Sequence, residues 1–229
     1  MTTARPASTA PRAVLFDAFG TLFDVHSVQA LAEELFPGHG ERLSMLWRDK
    51  QIEYTRLVSM SGQRRSFRAL TLAGLQHAAA RLGLALTPAL QTRLLGAYDR
   101  LEPFPENLAV LEELRRRGVP AGVLSNGDPD MLLLVVRHAG FAEHLAPLLS
   151  VQGTGRYKTD PATYALGPAA LGLPAAEILF VSSNAWDAIG ATWFGYTTLW
   201  INRAGQPLDP FDTLPTRVGT SLRDVLDFF

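Results

Sequence analysis

Residues 14 to 22, Val-Leu-Phe-Asp-Ala-Phe-Gly-Thr-Leu, constrain the fold more than any other stretch of the chain. An apolar run that begins at Ala13 leads into the carboxylate of Asp17, then a glycine and a threonine, which predicts a buried strand breaking into a loop. A carboxylate at the end of a buried strand loses hydration, so it is usually kept only where it is paired, hydrogen-bonded or used in chemistry. The simpler interpretation is that Asp17 only satisfies loop amides.

Composition limits the classes of protein to be considered. The chain has 229 residues, 47% of them hydrophobic, which predicts a packed globular protein of one large domain or of a core with a smaller domain. Its net charge is -1 and its basic residues are scattered, so we expect no nucleic-acid partner and no binding to a membrane surface. The longest apolar run, Met131 to Val136, is far too short to span a bilayer.

Two further features bear on location. Residues 1–11 are rich in Thr, Ala, Ser and Pro without an apolar core, which predicts a flexible tail rather than a signal peptide. The chain has no cysteine, which excludes disulfides and thiolate metal sites. Because disulfides mark oxidising compartments, we expect a cytoplasmic protein.

The order of apolar patterns predicts the architecture. Four helical patterns follow one another between residues 28 and 103 with no strand between them, which predicts an inserted helical cap domain. From residue 104 onward, helical patterns alternate with short apolar runs at 119–124, 148–151, 178–181 and 197–201. This alternation predicts an α/β, Rossmann-like, doubly wound core domain over 12–27 and 104–229 with a mainly parallel sheet. Ser221 and Asp224 have the spacing of a capping box, which predicts a last helix.

Hydrogen-bonding or charged residues follow four of these predicted strands. Ligands of open parallel sheets bind beyond the carboxyl ends of the strands, so these residues are expected at one edge and in one shared site. They are Asp17 and Thr21, then Ser125 and Asn126, then Lys158, then Ser182, Asn184 and Asp187.

The spacing of these residues resembles the four motifs of the haloacid dehalogenase-like hydrolase superfamily. Two further runs, Trp47 to Thr55 and Ser182 to Asp187, are similar to the L-2-haloacid dehalogenase branch in particular. The resemblance implies an enzyme that converts short (S)-2-haloacids to (R)-2-hydroxy acids and halide. It implies that Asp17 is the nucleophile, that an aspartyl ester is the intermediate, and that the substrate carbon is inverted.

Two departures separate this branch from the phosphatases of the superfamily. Phosphatase members carry a second Asp two positions after the nucleophile, to protonate the leaving alkoxide, whereas this chain has Phe19. A halide leaves as a weakly basic anion and needs no proton. The run from Ser182 to Asn184 stands where metal-binding carboxylates would be expected, so we expect no metal and no cofactor. The alternatives are a magnesium-dependent small-molecule phosphatase and a catalytically inactive binding member of the superfamily.

The resemblance also implies a role for each site residue. Lys158 keeps Asp17 ionised beside Asp187, and Asp187 with Asn184 orients or deprotonates the hydrolytic water. Thr21 and Ser182 complete this shell by hydrogen bonding.

The substrate side of the site is implied in the same way. Ser125 binds the substrate carboxylate, and Arg48 with Asn126 cradles the halide. Without the resemblance, Arg48 could equally be a solvated arginine and the aromatic residues plain core. The apolar walls and the remaining contacts of the site are Phe19, Ile52, Phe67, Tyr164 and Trp186.

The expected partners are a small 2-haloacid, water and a second copy of the chain. Asp49 departs from the amide residue that we expect beside Arg48, which bears on substrate preference rather than on the chemistry. Dimerisation is expected through the cap helices, where Leu57, Val58 and Met60 are apolar positions.

Overall fold

The computed structural model describes residues 10–229, and a single six-stranded sheet forms its centre. The strand order is β3-β2-β1-β4-β5-β6, and every neighbouring pair is parallel. The strands are β1 (Ala13–Phe16), β2 (Ala121–Ser125), β3 (Leu148–Ser150), β4 (Ile178–Ser182), β5 (Thr197–Ile201) and β6 (Arg217–Gly219). The order reverses at β1, which is the topological switch point of a doubly wound α/β fold. The predicted fold class is confirmed.

The central strands are buried because they are nearly continuous apolar runs covered on both faces. All residues of β1, β2 and β4 are buried. Strand β1 lies between β2 and β4, with Val14 opposite Ala121 on one side and Ala13 opposite Ile178 on the other. The residue that follows β1 is therefore held at the centre of the sheet edge.

Helices cover the sheet and form the insertion after β1. Helices α1 to α4 lie between β1 and α5 in the chain, and we call them the cap helices. The α-helices are α1 (Gln29–Leu35), α2 (Gly40–Met60), α3 (Phe67–Arg81), α4 (Pro88–Tyr98), α5 (Asn107–Arg116), α6 (Pro129–His138), α7 (Pro161–Tyr164), α8 (Leu166–Leu171) and α9 (Ala185–Phe194).

Several elements differ from the sequence-based expectation. Residues 161–171 form two short helices, α7 and α8, and helix α9 and strand β6 were not predicted. The capping box of Ser221 and Asp224 forms, but the segment it starts, Leu222–Phe228, is a 3-10 helix. Most of the predicted tail, 1–11, lies outside the described residues.

Residues 10–229 contain no helix that is both long and apolar enough to cross a membrane.

Candidate active site

Asp17 stands directly after β1, at the switch point, and is only 5% exposed. Its backbone N–H donates to the carbonyl of Val181 at 2.9 Å, which continues the pairing of β1 with β4 by one residue. The pairing of β1 with β4 therefore fixes the backbone position of Asp17, from which its carboxylate extends.

Lys158 lies between two buried carboxylates. Its Nζ is 3.1 Å from Asp17 Oδ1 and 2.9 Å from Asp187 Oδ2. Burial alone would lower the pKa of Lys158, but the two carboxylates outweigh it and raise that pKa. Burial, together with the charge of Asp17, raises the pKa of Asp187 to about 6 against the opposing effect of Lys158. Lys158 therefore lies between two carboxylates in one buried cluster, and at neutral pH that of Asp187 is mostly ionised.

Amide and hydroxyl groups fix the second oxygen of Asp17. Asn184 Nδ2 donates to Asp17 Oδ2 at 2.9 Å, and Thr21 Oγ1 donates to the same oxygen at 3.2 Å. Thr21 Oγ1 in turn accepts the backbone N–H of Ser183 at 2.8 Å, and Ser182 Oγ accepts that of Asn184 at 3.1 Å. Both oxygens of Asp17 are thus oriented by groups from the ends of β1 and β4 and from residues 155–160, the loop that carries Lys158 and is called the lysine loop.

Tyr164 lies behind Asp187 and not on the wall of the cavity. Its hydroxyl donates to Asp187 Oδ1 at 2.7 Å, and the ring is fully buried. Burial and the neighbouring carboxylate raise the pKa of Tyr164 well above its ordinary value, so the hydroxyl stays protonated as a donor. The structure therefore places Tyr164 in contact with Asp187, whereas the sequence grouped it with the substrate contacts.

A small cavity lies between Asp17 and the cap helices. Its volume is about 20 Å³, enough for one water molecule but not for an organic acid. Its lining residues are Asp17, Phe19, Arg48, Ile52, Thr55, Phe67, Ser125, Asn126, Asn184 and Trp186. Nine of these ten residues were predicted as site residues. Thr55 was missed, although it follows Ile52 by three positions on the helix face that carries Arg48.

Arg48 is buried and points into this cavity rather than into solvent. Its guanidinium donates to the carbonyl of Phe19 at 3.0 Å and to Asn184 Oδ1 at 3.4 Å. Gln51 Oε1 accepts a third hydrogen bond at 2.7 Å. The interpretation of Arg48 as a solvated arginine is therefore wrong, and a full positive charge faces the cavity.

The predicted residues at the end of β2 form the opposite wall. Asn126 Oδ1 accepts the backbone N–H of Lys158 at 3.0 Å, which ties the lysine loop to β2. Ser125 Oγ accepts the backbone N–H of Gly127 at 3.1 Å. Both residues line the cavity.

The site does not fit the magnesium ion of the phosphatase members. Residues 10–229 contain no group of three or more His, Cys, Asp or Glu side chains that could hold a metal ion. The ammonium of Lys158 already lies between Asp17 and Asp187, and Phe19 occupies the position of the second acid. A divalent cation prefers several oxygen ligands, and the two carboxylates of Asp17 and Asp187 are a thin set for it.

Known proteins are similar to this chain over almost its whole length. A (S)-2-haloacid dehalogenase of Pseudomonas sp. strain YL is 45% identical over 218 residues, covering 95% of this chain and 94% of that protein. The crystal structure of the L-2-haloacid dehalogenase RSc1362 is 52% identical, has a TM-score of 0.94 and covers 96% of this chain and 99% of that one.

A third relative has been solved with a bound molecule. The L-2-haloacid dehalogenase of Xanthobacter autotrophicus, with chloropropionic acid covalently bound, is 34% identical with a TM-score of 0.88, and the match covers 94% of this chain and 96% of that one. A family model described as haloacid dehalogenase-like hydrolase matches residues 11–195. The chain belongs to the haloacid dehalogenase-like hydrolase family.

Proposed function

We propose that this protein is a metal-independent (S)-2-haloacid dehalogenase that acts on short substrates through an ester of Asp17. The observation that carries the proposal is the oriented carboxylate of Asp17, held by Lys158, facing a cavity with Arg48 opposite and apolar walls. The names of the similar proteins support the same reaction.

In the first step, Asp17 attacks the α-carbon of the haloacid from the side opposite the halogen. A carbon–oxygen bond forms, the carbon–halogen bond breaks, and the halide leaves with the bonding electrons. Arg48 and Asn126 are the groups we assign to the leaving halide, and Ser125 is assigned to the substrate carboxylate. The positive charge of Arg48 stabilises the transition state because negative charge on the halogen increases as the bond breaks.

In the second step, water attacks the carboxyl carbon of Asp17 and the ester is cleaved. The water oxygen stays on Asp17, and the hydroxy acid leaves with the oxygen that Asp17 originally contributed. Asp187 is assigned as the base for this water, with Asn184 as the orienting amide. A carboxylate whose pKa is about 6 can accept a proton at neutral pH, which suits this assignment.

A single turnover in heavy-oxygen water tests the covalent mechanism. With enzyme in excess over (S)-2-chloropropionate, the hydroxy acid should carry ordinary oxygen and the peptide that contains Asp17 should gain the label. The product should be the (R)-hydroxy acid. Asp17→Asn should release no halide, because a neutral amide is a poor nucleophile. Label in the first-turnover product, or retention of configuration, would contradict the proposal.

A requirement for metal would distinguish the alternative, a magnesium-dependent phosphatase, from the proposed dehalogenase. Excess chelator should leave halide release unchanged, whereas a phosphomonoesterase activity that is lost with chelator and restored by magnesium would support the alternative. A wild-type protein without either activity would favour the inactive binding member.

We propose a cytoplasmic homodimer that associates through the cap helices. The support is the apolar surface on helix α2, where Met45, Leu57 and Met60 are 51%, 58% and 87% exposed. Light scattering at micromolar concentration should give the mass of two chains, and Leu57→Asp combined with Met60→Asp should give one. Leu134→Asp, on an exposed position of α6, is the matched control and should leave the dimer intact. A wild-type monomer would overturn this part of the proposal.

We also propose that residues 28–103 act as a cap domain on a core domain of 12–27 and 104–229. The support is that the cavity is formed from both parts, with Arg48, Ile52 and Phe67 from the cap helices and the other charged group, Asp17, from the sheet edge.

A further inference from the structure

Gln51 is a fully buried amide in helix α2, one turn after Arg48, and both ends of the amide are hydrogen-bonded. Its Oε1 accepts from Arg48 Nη1 at 2.7 Å, and its Nε2 donates to Thr71 Oγ1 at 2.6 Å. Burying an amide costs desolvation free energy unless both of its ends are hydrogen-bonded. Because flipping the amide of Gln51 would break both hydrogen bonds, its side chain is held in one orientation.

Thr71, in helix α3, continues the same path. Its hydroxyl donates to the carbonyl of Phe67 at 2.7 Å, and its own carbonyl accepts Trp47 Nε1 at 2.7 Å. The two helices approach closely here, since a Cβ at Gly74 would lie 3.2 Å from the backbone nitrogen of Gln51. The path from Arg48 to the first turn of α3 is therefore buried and closely packed.

The first turn of α3 is fixed to the core by Asp128. The carboxylate of Asp128 accepts the backbone N–H groups of Phe67 and Arg68 at 2.9 Å and 2.8 Å. These N–H groups have no partner within the helix, and they carry partial positive charge. Asp128 is the N-cap residue of its own helix, α6, but its side chain makes no capping hydrogen bond there. Asp128 follows Asn126, one of the two residues assigned to the halide, by two positions. The loop that carries Asn126 therefore also holds helix α3, which contacts Arg48, the other assigned residue, through Thr71 and Gln51.

Arg48 is oriented by neutral acceptors alone. Its partners are Gln51 Oε1, the carbonyl of Phe19 and Asn184 Oδ1, and no carboxylate within residues 10–229 forms an ion pair with it. An amide at position 51 therefore directs the guanidinium without neutralising its charge. A glutamate of the same shape would direct it and neutralise it.

We propose that Gln51 is a positioning residue for halide departure, and that Thr71 and Asp128 tie its arrangement to the docking of the cap helices on the core. This inference rests on the proposed function. It predicts that Gln51 contributes more to the reaction when the leaving group is poorer, because a poorer leaving group depends more on Arg48 in the transition state.

The test compares (S)-2-chloropropionate with (S)-2-bromopropionate. For Gln51→Met, kcat/KM for the chloro acid should fall about tenfold or more, the range expected for losing a hydrogen bond to a charged group. Gln51→Glu keeps an acceptor for Arg48 but neutralises its charge, so it should lower the same quantity. For both variants the bromo acid should lose clearly less. Inhibition by free bromide should weaken in parallel. Gln76→Met is the matched control, since Gln76 is an exposed amide of α3 whose partner is Gln91, and it should change neither quantity.

A second pair of variants separates positioning from folding. Thr71→Ser keeps the hydroxyl and should behave as wild type, whereas Thr71→Val removes it at nearly constant volume and should shift the chloro-to-bromo ratio in the direction of Gln51→Met. Equal losses on both substrates, with an unchanged ratio, would mean that Gln51 is structural only and would overturn the inference. If the wild-type protein releases halide from neither acid, the proposed function fails and this inference fails with it.

Discussion

At the scale of single residues, the cluster of Asp17, Lys158 and Asp187 determines the chemistry. Three charged groups are buried together, which is costly unless each is paired and hydrogen-bonded. Pairing is complete here because Lys158 contacts both carboxylates and Tyr164 donates to the remaining oxygen of Asp187. The two carboxylates and the ammonium together carry one net negative charge, and Asp17 is the carboxylate of the cluster that lines the cavity.

The pH dependence of ester hydrolysis should report on Asp187. Its pKa is about 6, so the rate of the second step should rise with pH through that value as the base becomes ionised. Rapid quenching should show ester accumulating at acidic pH, and Asp187→Asn should remove the dependence together with most of the hydrolysis. An ester that is hydrolysed equally fast on both sides of pH 6 would exclude Asp187 as the base.

The raised pKa of Asp187 also determines how the free energy of unfolding changes with pH. An ordinary aspartate has a pKa of 3.8, so between that value and about 6 the folded protein binds more protons at Asp187 than the unfolded chain does. The contribution of Asp187 to the free energy of unfolding therefore falls as pH rises through this window. Denaturant unfolding of wild type and Asp187→Asn at several pH values measures the difference, which should grow in favour of the variant as pH rises. An unchanged difference would contradict the raised pKa.

At the scale of elements, helix α9 is packed onto the lysine loop through a glycine. A Cβ at Gly190 would lie 2.6 Å from the Tyr164 hydroxyl and 2.7 Å from Thr159 Cγ2, so no side chain fits there. Helix α9 can hold Asp187 next to Lys158 only because Gly190 has no side chain where the helix contacts Tyr164 and Thr159.

Gly190→Ala should therefore destabilise the protein by about 1–3 kcal/mol, the usual effect of overpacking a core, and should lower activity by displacing Tyr164 from Asp187. Gly96→Ala is the matched control. Gly96 also lies inside a helix, α4, but a Cβ there would meet no atom within 4 Å. That variant should be up to about 1 kcal/mol more stable, because alanine is the better helix former. Thermal unfolding compares the two, and equal behaviour would contradict the packing argument.

Apolar periodicity predicted the central elements of the fold, whereas other elements depend on tertiary contacts. Strand β6 was missed because it is short and two of its three residues are exposed, so it has no apolar run of its own. Helix α9 was missed because its apolar residues show no single face. The strand-end residues of the site were predictable because parallel strands bring their carboxyl ends together. Gln51 and Asp128 were not assigned to the site, since their partners Thr71 and Phe67 are distant in sequence.

At the scale of the whole molecule, the cavity is too small for its proposed substrate. A space of about 20 Å³ holds one water molecule, so we expect a haloacid to enter when the cap helices and the sheet edge separate. The contacts that would have to break include the hydrogen bonds of Asp128 with the first turn of α3.

A reversible cross-link between the two parts should therefore stop the reaction. Gln63 and Gln152 line one groove on opposite sides of this boundary, and the chain has no cysteine of its own. A Gln63→Cys, Gln152→Cys variant joined by a short cleavable dithiol reagent should lose halide release and regain it on reduction. Each single variant, treated alike, should stay active. Full activity of the joined protein would show that substrate enters without separation of the two parts.

The position of β1 at the centre of the sheet also has a consequence for how the chain folds. Its partners β2 and β4 come long after it in sequence, whereas α2 and α3 are neighbours along the chain and pack on each other. Contacts between distant segments form slowly because loop-closure entropy opposes them, and local contacts form fast. Asp17 meets Lys158 and Asp187 only when the most distant of these pairings is complete. On dilution from denaturant, the helical circular dichroism signal should therefore recover before halide release does, so that the appearance of catalysis marks the last contact to form.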